Sequence, residues 1–216
     1  MLQKIKKIVK VLTNFKLLKQ LINLNESGYL YEIGWINSFK HEMPIDKDGN
    51  PLPWVTYSFI DFITDRLNST MNIFEYGSGN STLWYAKKVN DVTSVEHDKL
   101  WYEKIKKLMP KNVSMNYQSL KYDDEYCRFA NTIDRKFDIV IVDGRDRVNC
   151  IKNSLFSLKE SGVIVLDDSE RPYYQEGINH LLSNGFKKID FWGISPGLFY
   201  KKSTTLFYKQ NNCLGI

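Results

Sequence analysis

The sequence predicts an α/β fold, with a mostly parallel sheet, helices on both of its faces and an antiparallel strand pair at its C-terminal end. From residue 72 onward, short apolar runs alternate with amphipathic segments such as "STLWYAKKV" and "DKLWYEKIKKLM". This alternation is typical of parallel strands joined by helices. The last two strand-like runs, "GFKKIDFWG" and "STTLFYKQ", have only the loop "ISPGLFYKK" between them, so they predict the antiparallel pair. The predicted parallel strands are 72–76, 92–96, 113–117, 138–142 and 162–167.

The segment 1–24, "MLQKIKKIVKVLTNFKLLKQLINL", predicts a basic amphipathic helix before the sheet. In a continuous helix, Lys16 and Lys19 rotate onto its apolar side and weaken the separation of the two faces. Two interpretations remain open. The helix packs on its own domain or on a second subunit of a homo-oligomer, or residues 1–22 make a peripheral contact with an anionic membrane. The predicted apolar face consists of Leu2, Ile5, Ile8, Val9, Leu12 and Phe15.

The positive charge of the chain is concentrated in this same segment. The net charge is +5, and residues 1–20 carry six lysines and no acidic residue, so subtracting +6 leaves the rest of the chain at about −1. Nucleic-acid binding requires a concentrated basic face, which the rest of the chain lacks. We therefore expect no nucleic-acid partner.

The cysteine and hydropathy patterns favour a reduced, cytoplasmic protein. Cys127, Cys150 and Cys213 are odd in number and form no CxxC pair, which disfavours a disulfide framework and a zinc site. The longest apolar runs have the length of strands, and lysines interrupt the segment that a signal peptide would need. We expect a cytoplasmic location, with the inner face of the membrane as the alternative if residues 1–22 bind lipid.

Residues 25–55 predict a loop, linker and lid between the N-terminal helix and the domain of residues 56–216. The stretch "HEMPIDKDGNPLPW" contains three prolines and a DGN turn, and prolines and such turns interrupt regular structure.

The stretch "NIFEYGSGNST" places a glycine-rich turn after the first predicted strand, where open α/β sheets bind ligands. Gly77 and Gly79 permit a tight turn, and Ser81 or Thr82 can cap the next helix. A dinucleotide fingerprint would have glycine where this chain has Thr82. The carboxylate of Glu75 would repel a pyrophosphate and attract an ammonium group. The pattern therefore favours a ligand that carries a positive charge over NAD.

These motifs resemble those of the class I S-adenosylmethionine-dependent methyltransferases, whose first motif is an acidic residue, any residue, and then Gly-x-Gly. The resemblance covers about residues 55–209. It implies a Rossmann-like, seven-stranded sheet and makes residues 56–216 the S-adenosylmethionine-binding domain. By this resemblance, Gly77 and Gly79 lie against the methionine part of the cofactor, and Glu75 lies near its ammonium group.

The resemblance implies further cofactor contacts outside the glycine loop. Glu96 ends the second strand in "VTSVEHD" and corresponds to the acid that binds both ribose hydroxyls. His97 would flank the adenine, and Ser119 would line its pocket. The stretch "PLPWVTYSFIDFI" lies where the family places residues that close over the cofactor. The complete set of implied contacts is Trp54, Thr56, Tyr57, Glu75, Gly77, Gly79, Ser81, Glu96, His97, Ser119 and Asp143.

Acidic residues at the ends of the fourth and fifth strands predict the catalytic centre: Asp143 in "FDIVIVDGRDRVNC" and Asp168 in "GVIVLDDSERPYY". Two arrangements remain open. In the first, Asp143, Asp168 and Ser169 hold Mg²⁺, which acidifies a substrate hydroxyl. This resembles the catechol-type branch of the family, although that branch has an amide in place of Ser169. In the second, Asp143 or Asp168 removes the proton directly while an arginine orients the substrate. The candidate arginines are Arg145, Arg147 and Arg171.

Taken together, the motifs resemble a bacterial methyltransferase subgroup associated with polysaccharide and small-glycan modification. This implies O-methylation of a hydroxylated small molecule or glycan. Two alternatives remain. One is aminopropyl transfer on the same sheet, although the glycine- and aspartate-rich first motif of those enzymes is absent. The other is a non-catalytic, cofactor-binding or scaffold module that docks through the basic helix.

Overall fold

The computed structural model describes residues 2–216, except for the side chain of Leu2. Met1 and the predicted place of Leu2 on the apolar face therefore lie outside the described residues. The helices are α1 (Leu2–Thr13), α2 (Phe15–Asn23), α3 (Tyr29–Glu32), α4 (Trp35–His41), α5 (Tyr57–Thr64), α6 (Asn80–Ala86), α7 (Lys99–Ile105), α8 (Glu125–Arg128), α9 (Arg147–Ser157) and α10 (Gln175–Ser183). The strands are β1 (Asn72–Tyr76), β2 (Asp91–Glu96), β3 (Val113–Tyr117), β4 (Phe137–Val142), β5 (Leu158–Asp167), β6 (Lys187–Gly193) and β7 (Lys202–Tyr208). Short 3-10 turns occupy Lys106–Leu108, Phe129–Thr132 and Pro172–Tyr174.

The strands form one seven-stranded sheet in the order β3-β2-β1-β4-β5-β7-β6. Neighbouring strands are parallel except at β7, which is antiparallel to both β5 and β6. The predicted fold class, a seven-stranded and mostly parallel sheet with a C-terminal antiparallel pair, is confirmed. Strand β5 begins at Leu158, four residues before the predicted start, because its first residue pairs with Phe137 before a register irregularity.

The two faces of the sheet carry separate apolar cores. Adjacent residues of a strand point to opposite faces, so Ile73 of β1 packs with Phe59 of α5 and Trp84 of α6. On the other face, Phe74 packs with Ile151 of α9 and with the cluster that α10 completes. All of these side chains are buried, and burial of each large apolar side chain contributes roughly 1.5–3 kcal/mol. Both faces of the central strands are covered, which explains their continuous apolar sequence.

The single basic helix predicted over residues 1–24 is instead two helices, α1 and α2, because the backbone leaves the helical conformation at Asn14. The side chain of Asn14 accepts a hydrogen bond from the Leu17 N–H at 3.0 Å and so begins a new helix. Within residues 2–216, none of the helices combines the length and the apolar composition that crossing a bilayer requires.

Residues 25–55, predicted as a loop and lid, contain the short helices α3 and α4. We call residues 35–56 the cap, because they contact loops that follow strands at the C-terminal edge of the sheet. The indole N–H of Trp35 donates to the carbonyl of Leu198 at 2.9 Å, in the β6–β7 loop. Farther along this edge, after the inner strand β1, the side-chain amide of Asn80 donates to the carbonyl of Pro44 at 2.8 Å. The cap is thus bonded both to the β6–β7 loop and to the start of α6.

Candidate cofactor site

The candidate site lies at the C-terminal ends of β1 and β4. These strands are neighbours in the sheet, but the chain proceeds from β1 toward β2 on one side and from β4 toward β5 on the other. The connections therefore diverge and leave a crevice, which is the position where open α/β sheets bind ligands. The glycine loop, residues 77–79, forms one wall of this crevice, and the β4–α9 connection forms the other.

Two glycines allow these two connections to approach each other closely. Gly77 has a φ of +97°, and a Cβ atom on it would lie 3.3 Å from the backbone of Gly144. A Cβ atom on Gly144 would lie 2.1 Å from the buried hydroxyl of Tyr126 and 3.0 Å from the Gly77 nitrogen. Gly79 differs, because a Cβ atom there would meet no protein atom within 4 Å. Packing within the chain therefore requires glycine at 77 and 144, whereas Gly79 leaves open space beside the loop.

Side chains from other elements hold the glycine loop in place. The hydroxyl of Ser78 donates to the hydroxyl of Ser94 in β2 at 3.0 Å. The indole N–H of Trp101 in α7 donates to the Ser78 carbonyl at 2.8 Å. Asn80 also bonds to the cap, so the glycine loop is held by contacts with the sheet, with α7 and with the cap.

Glu75 was predicted to face a ligand ammonium group, but the structure gives it a different role. Its side chain is only 1% exposed, and its two carboxylate oxygens accept hydrogen bonds from Ser81 at 2.5 Å and Thr82 at 2.6 Å. The Thr82 hydroxyl in turn accepts from the Gly79 N–H at 3.0 Å. Glu75 and Ser81 therefore fasten the first turn of α6 to β1 and hold the glycine loop in place.

Burial raises the pKa of Glu75 from 4.5 to about 7. The hydrogen bonds from Ser81 and Thr82 oppose this shift, and the nearby charge of Glu96 adds to it. Hence the carboxyl is only partly ionised near neutral pH, and its charge is a weaker attraction for a cationic ligand than the sequence suggested.

Glu96 is placed as predicted at the end of β2, and one of its oxygens remains available. Oε1 accepts the backbone N–H groups of His97 at 2.7 Å and Asp98 at 2.8 Å, which orders the turn into α7. Among the described residues, Oε2 accepts no hydrogen bond. The ring of His97 packs edge-on against Tyr126 with its centroid at 5.9 Å and stays partly exposed. Ser119 lies beyond the end of β3 as an exposed residue.

The ends of β4 and β5 carry a cluster of buried charges. Arg147 donates to the backbone carbonyls of Gly144, Asp143 and Asp167, and to Asp143 Oδ1 at 3.1 Å. Lys202, the first residue of β7, is 3% exposed and lies 2.5 Å from Asp167 Oδ2. Because these two cations bridge three strand ends, the cluster is part of the framework of the site.

Asp168 is bound by three cations. Its oxygens lie 2.8 Å from Lys202, 2.8 Å from Arg171 and 3.4 Å from Arg147. Burial alone would raise the pKa of Asp168, but Lys202 and then the two arginines outweigh burial, so its pKa lies below the ordinary value. Asp168 is therefore a carboxylate paired with three cations, and its lowered pKa makes it a poor proton acceptor.

Asp143 has the opposite character. Its side chain is 22% exposed, and only Oδ1 is bonded to Arg147, while Oδ2 accepts no hydrogen bond among the described residues. Burial and repulsion from Asp167 raise the pKa of Asp143, although Arg147 and Lys202 oppose this shift. Of the two predicted catalytic carboxylates, Asp143 is thus the one with a free oxygen and an increased proton affinity.

The predicted metal ligands Asp143, Asp168 and Ser169 are not arranged as a cation cage. The Ser169 hydroxyl donates to the Ser203 carbonyl at 3.2 Å and accepts from Thr205 at 2.6 Å, so it is engaged away from the carboxylates. Within residues 2–216, no group of three or more His, Cys, Asp or Glu side chains could hold a metal ion. The positions that a cation would take beside Asp168 belong to Lys202 and the arginines, and the prediction of Mg²⁺ is not supported.

The remaining predicted residues divide between buried and exposed positions. Thr56 is fully buried, and its hydroxyl donates to the Phe191 carbonyl at 3.0 Å. Tyr57 is also buried. Trp54 is about half exposed and donates its indole N–H to the β6–β7 loop, while Arg145 is exposed and two residues from Asp143. Trp54 and Arg145 stay candidates for contacts with a ligand.

Two residues of the site were missed in the sequence. Lys202 at the start of β7 and Tyr126 in α8 are both buried, yet neither belongs to a recognisable motif. A strand that runs antiparallel to its neighbours begins at the edge where the parallel strands end. The position of Lys202 next to the start of the predicted last strand could therefore have indicated that it lies at the site. Tyr126 lies in α8, where no pattern pointed to the glycine loop.

The chain has the fold of solved structures described as methyltransferases. A methyltransferase-like protein of Silicibacter pomeroyi is 21% identical, covering 74% of this chain and 90% of that one, with a TM-score of 0.52. A precorrin-6y C5,15-methyltransferase of Geobacter metallireducens is 14% identical over 80% and 96%, with a TM-score of 0.56. A methyltransferase candidate of Streptococcus mutans, solved with SAH, is 13% identical over 68% and 94%, with a TM-score of 0.50. No protein-family profile and no curated protein sequence matches the chain.

Gly144→Ala is expected to destabilise the fold by about 1–3 kcal/mol, because the new Cβ atom overlaps the Tyr126 hydroxyl. The added change Tyr126→Phe removes the overlapping oxygen and should restore part of the loss. Urea unfolding measures both effects. The control is Gly79→Ala, which has open space around it and should change the free energy of unfolding by less than about 0.5 kcal/mol. Equal losses at the two glycines would contradict the close approach of the loops.

Glu75→Gln is expected to change the pH dependence of stability. Because the folded-state pKa of Glu75 is raised, its contribution is fully present below pH 4.5 and is lost as the pH rises to about 7. The shift corresponds to roughly 3 kcal/mol. Relative to the variant, the wild-type protein should lose about that much unfolding free energy over this range, as measured by urea unfolding at several pH values. Exposed Glu103→Gln is the control, and a pH-independent difference for Glu75→Gln would refute the raised pKa.

Proposed function

We propose that this chain is an S-adenosylmethionine-dependent methyltransferase that acts on an oxygen atom of a hydroxylated small molecule or glycan. The observation that carries this proposal is the arrangement around the β1–β4 crevice. A tight glycine loop, an available carboxylate oxygen at the end of β2 and a proton acceptor at the end of β4 lie along one edge of the sheet. The fold shared with the methyltransferase structures supports the coarser part of this proposal, which is methyl transfer.

The residues of the crevice fit the parts of this cofactor. The open space beside Gly79 leaves room for a methionine chain against the loop backbone. Glu96 Oε2 can accept a ribose hydroxyl, while Oε1 is held by the backbone of the turn. The partly exposed ring of His97, supported from behind by the buried Tyr126, lies next to Glu96 and offers a surface on which an adenine ring would pack. When bound, S-adenosylmethionine supplies an electrophilic methyl group.

In this proposal, Asp143 is the general base. Its free Oδ2 accepts the proton of the acceptor hydroxyl, and Arg147 holds Oδ1 so that the carboxylate keeps one orientation. Asp168 does not share this task, since three cations bind it and lower its pKa. It holds Lys202 and the arginines in position. Proton removal is therefore assigned to a side chain of the protein, without a metal ion.

Exposed aromatic and basic side chains near the β5 and β6 ends support a glycan-like acceptor. Arg171 bonds the hydroxyl of the exposed Tyr173 at 3.0 Å, and Trp192 is about half exposed at the end of β6. Aromatic rings can pack on the apolar face of a sugar, and a guanidinium group can donate to its hydroxyls or to an attached phosphate. Such an acceptor agrees with a role in polysaccharide modification.

Aminopropyl transfer is less consistent with this charge arrangement. A polyamine acceptor is a polycation and requires free carboxylates to bind it. Here Asp167 and Asp168 are already paired with Lys202 and Arg147, so the cluster offers little negative charge to such an acceptor.

Glu96→Gln should weaken binding of S-adenosylhomocysteine by about 10- to 100-fold, because a charge-assisted hydrogen bond to the ribose contributes about 1.5–3 kcal/mol. The glutamine oxygen can still accept the two backbone N–H groups, so the turn after β2 is retained. Calorimetric titration measures the affinity. Exposed Glu103→Gln is the control and should bind like the wild-type protein. A wild-type protein that does not bind S-adenosylhomocysteine would exclude the proposed cofactor and favour a scaffold module.

Asp143→Asn should lower kcat by about 10²- to 10⁴-fold, the usual contribution of a general base, and leave cofactor affinity nearly unchanged. The assay follows transfer of a radiolabelled methyl group from the cofactor to glycan or nucleotide-sugar extracts. Wild-type activity should rise with pH through the raised pKa of Asp143, since only the ionised carboxylate accepts a proton. The control is Asp134→Asn on the surface. Activity of Asp143→Asn within a few-fold of wild type would contradict its assignment as the base.

A further inference from the structure

Residues 2–23, which we call the amphipathic arm, carry a concentrated set of exposed apolar side chains. The arm consists of α1 and α2, and no residue of α2 is buried. Every hydrogen bond that the structure describes for residues 3–27 stays within this segment. The exposed apolar side chains, each between 41% and 79% exposed, are Ile5, Ile8, Val9, Leu12, Phe15, Leu17, Leu21 and Ile22.

Each helix of the arm has its own apolar face. In α1, Ile8 and Leu12 lie on one side, and Lys6 and Lys10 lie on the other. In α2 the separation is equally clear. Its polar side consists of Lys16, Lys19, Gln20 and Asn23, and its apolar side of Phe15, Leu17, Leu18, Leu21 and Ile22. The break at Asn14 allows both helices to be amphipathic, whereas one continuous helix would place Lys16 and Lys19 among the apolar side chains of α1.

The charge of the arm has one sign. It carries six lysines and no acidic residue, and among the described residues none of these lysines takes part in an ion pair. The first acidic residue of the chain is Glu26, beyond the end of α2. The arm therefore combines uncompensated positive charge with uncovered apolar side chains.

These two properties together identify the kind of partner. A second copy of the arm could cover the apolar faces, but it would bring twice six lysines together without a counter-charge. A nucleic acid would neutralise the lysines but leave the apolar faces in water. An anionic lipid bilayer meets both requirements, because its acyl region receives the apolar faces and its headgroups attract the lysines.

We propose that residues 2–23 bind in the plane of an anionic lipid bilayer and dock the folded domain on its surface. The helices, with 12 and 9 residues, are about 18 and 14 Å long and cannot cross a hydrocarbon core of about 30 Å, so they lie along the interface. The lysines of each polar face contact the headgroups, and Phe15 and the aliphatic side chains enter the acyl boundary. This inference stands independently of methyl transfer.

The test is co-flotation of the full chain with vesicles of phosphatidylcholine, with and without phosphatidylglycerol. The wild-type protein is expected to bind the anionic vesicles and to bind them more weakly at high salt. It should bind neutral vesicles only slightly. Replacing Lys6, Lys7 and Lys10 by Gln should weaken binding by roughly 100-fold, because each lysine near such a surface contributes about fivefold. The apolar variant Ile8→Asn with Leu12→Asn should weaken binding at least about tenfold.

Matched variants outside the arm control for lost charge and lost apolar surface. Lys107, Lys111 and Lys136, each replaced by Gln, remove the same charge from exposed positions without ion pairs. Leu100→Asn with Leu108→Asn removes two exposed leucines in and after α7. Both controls should bind anionic vesicles like the wild-type protein.

Three outcomes would overturn the proposal. They are no binding to anionic vesicles, equal binding to neutral and anionic vesicles, or equal losses in the arm variants and their controls. Analytical ultracentrifugation adds a separate outcome: a dimer that Ile8→Asn with Leu12→Asn dissociates, without vesicle binding, would assign the arm to a second copy of the chain. S-adenosylhomocysteine binding, measured in the same variants, should be unchanged, so failure of the membrane proposal and failure of the cofactor proposal are distinguishable.

Discussion

The balance of charge at the ends of β4, β5 and β7 is the constraint on which the candidate active site depends. Asp143, Asp167 and Asp168 lie close enough to perturb one another, and without cations they could not all remain ionised. Lys202 and Arg147 supply the compensating charge from buried positions. Buried ion pairs contribute little net stability, but removal of one partner costs several kcal/mol. The cluster therefore acts chiefly by deciding which carboxylate keeps a free oxygen.

The direction of β7 makes this cluster possible. Parallel strands end at the ligand edge of the sheet, so Asp143, which follows β4, and Asp167, the last residue of β5, come together there. An antiparallel strand begins at that same edge, which places its first residue, Lys202, among the carboxylates. Strand β7 lies between β5 and β6, so both of its edges are paired, and Lys202 at its start is only 3% exposed. The reversed strand thus contributes a buried cation to the ligand edge of the sheet and also joins β6 to β5.

The fold was predictable because its determinants are local and periodic. Apolar strands alternate with amphipathic helices, and the missing helix before the last strand marks the antiparallel pair. The positions of the glycine loop and of Glu96 followed from the same pattern, since the loop comes directly after β1 and Glu96 is the last residue of β2. The pairing of side chains across the site was not predictable. Whether Asp143 or Asp168 keeps a free oxygen depends on Lys202, which follows them by more than thirty residues.

The hydrogen-bond partners of Glu75 could not be predicted from the motif that contains it. The motif indicated a carboxylate near the ligand, and the structure does place it under the glycine loop. However, the hydroxyls of Ser81 and Thr82, two ordinary candidates for a helix cap, turn inward and take both of its oxygens. A short polar side chain at the start of a helix can bond the helix backbone or a neighbouring acid, and only the packing of the strand decides between them.

The amphipathic arm illustrates how one residue can alter the interpretation of a periodic pattern. Helical periodicity assumes that the rotation of about 100° per residue continues without interruption. Asn14 ends this continuity, since its side chain begins a new helix, and the apolar faces of α1 and α2 no longer have to share one line. The apparent mixing of Lys16 and Lys19 with apolar residues is therefore a consequence of treating two helices as one. Once they are separated, the arm is amphipathic along its whole length, and its exposed face requires a partner that is both apolar and negatively charged.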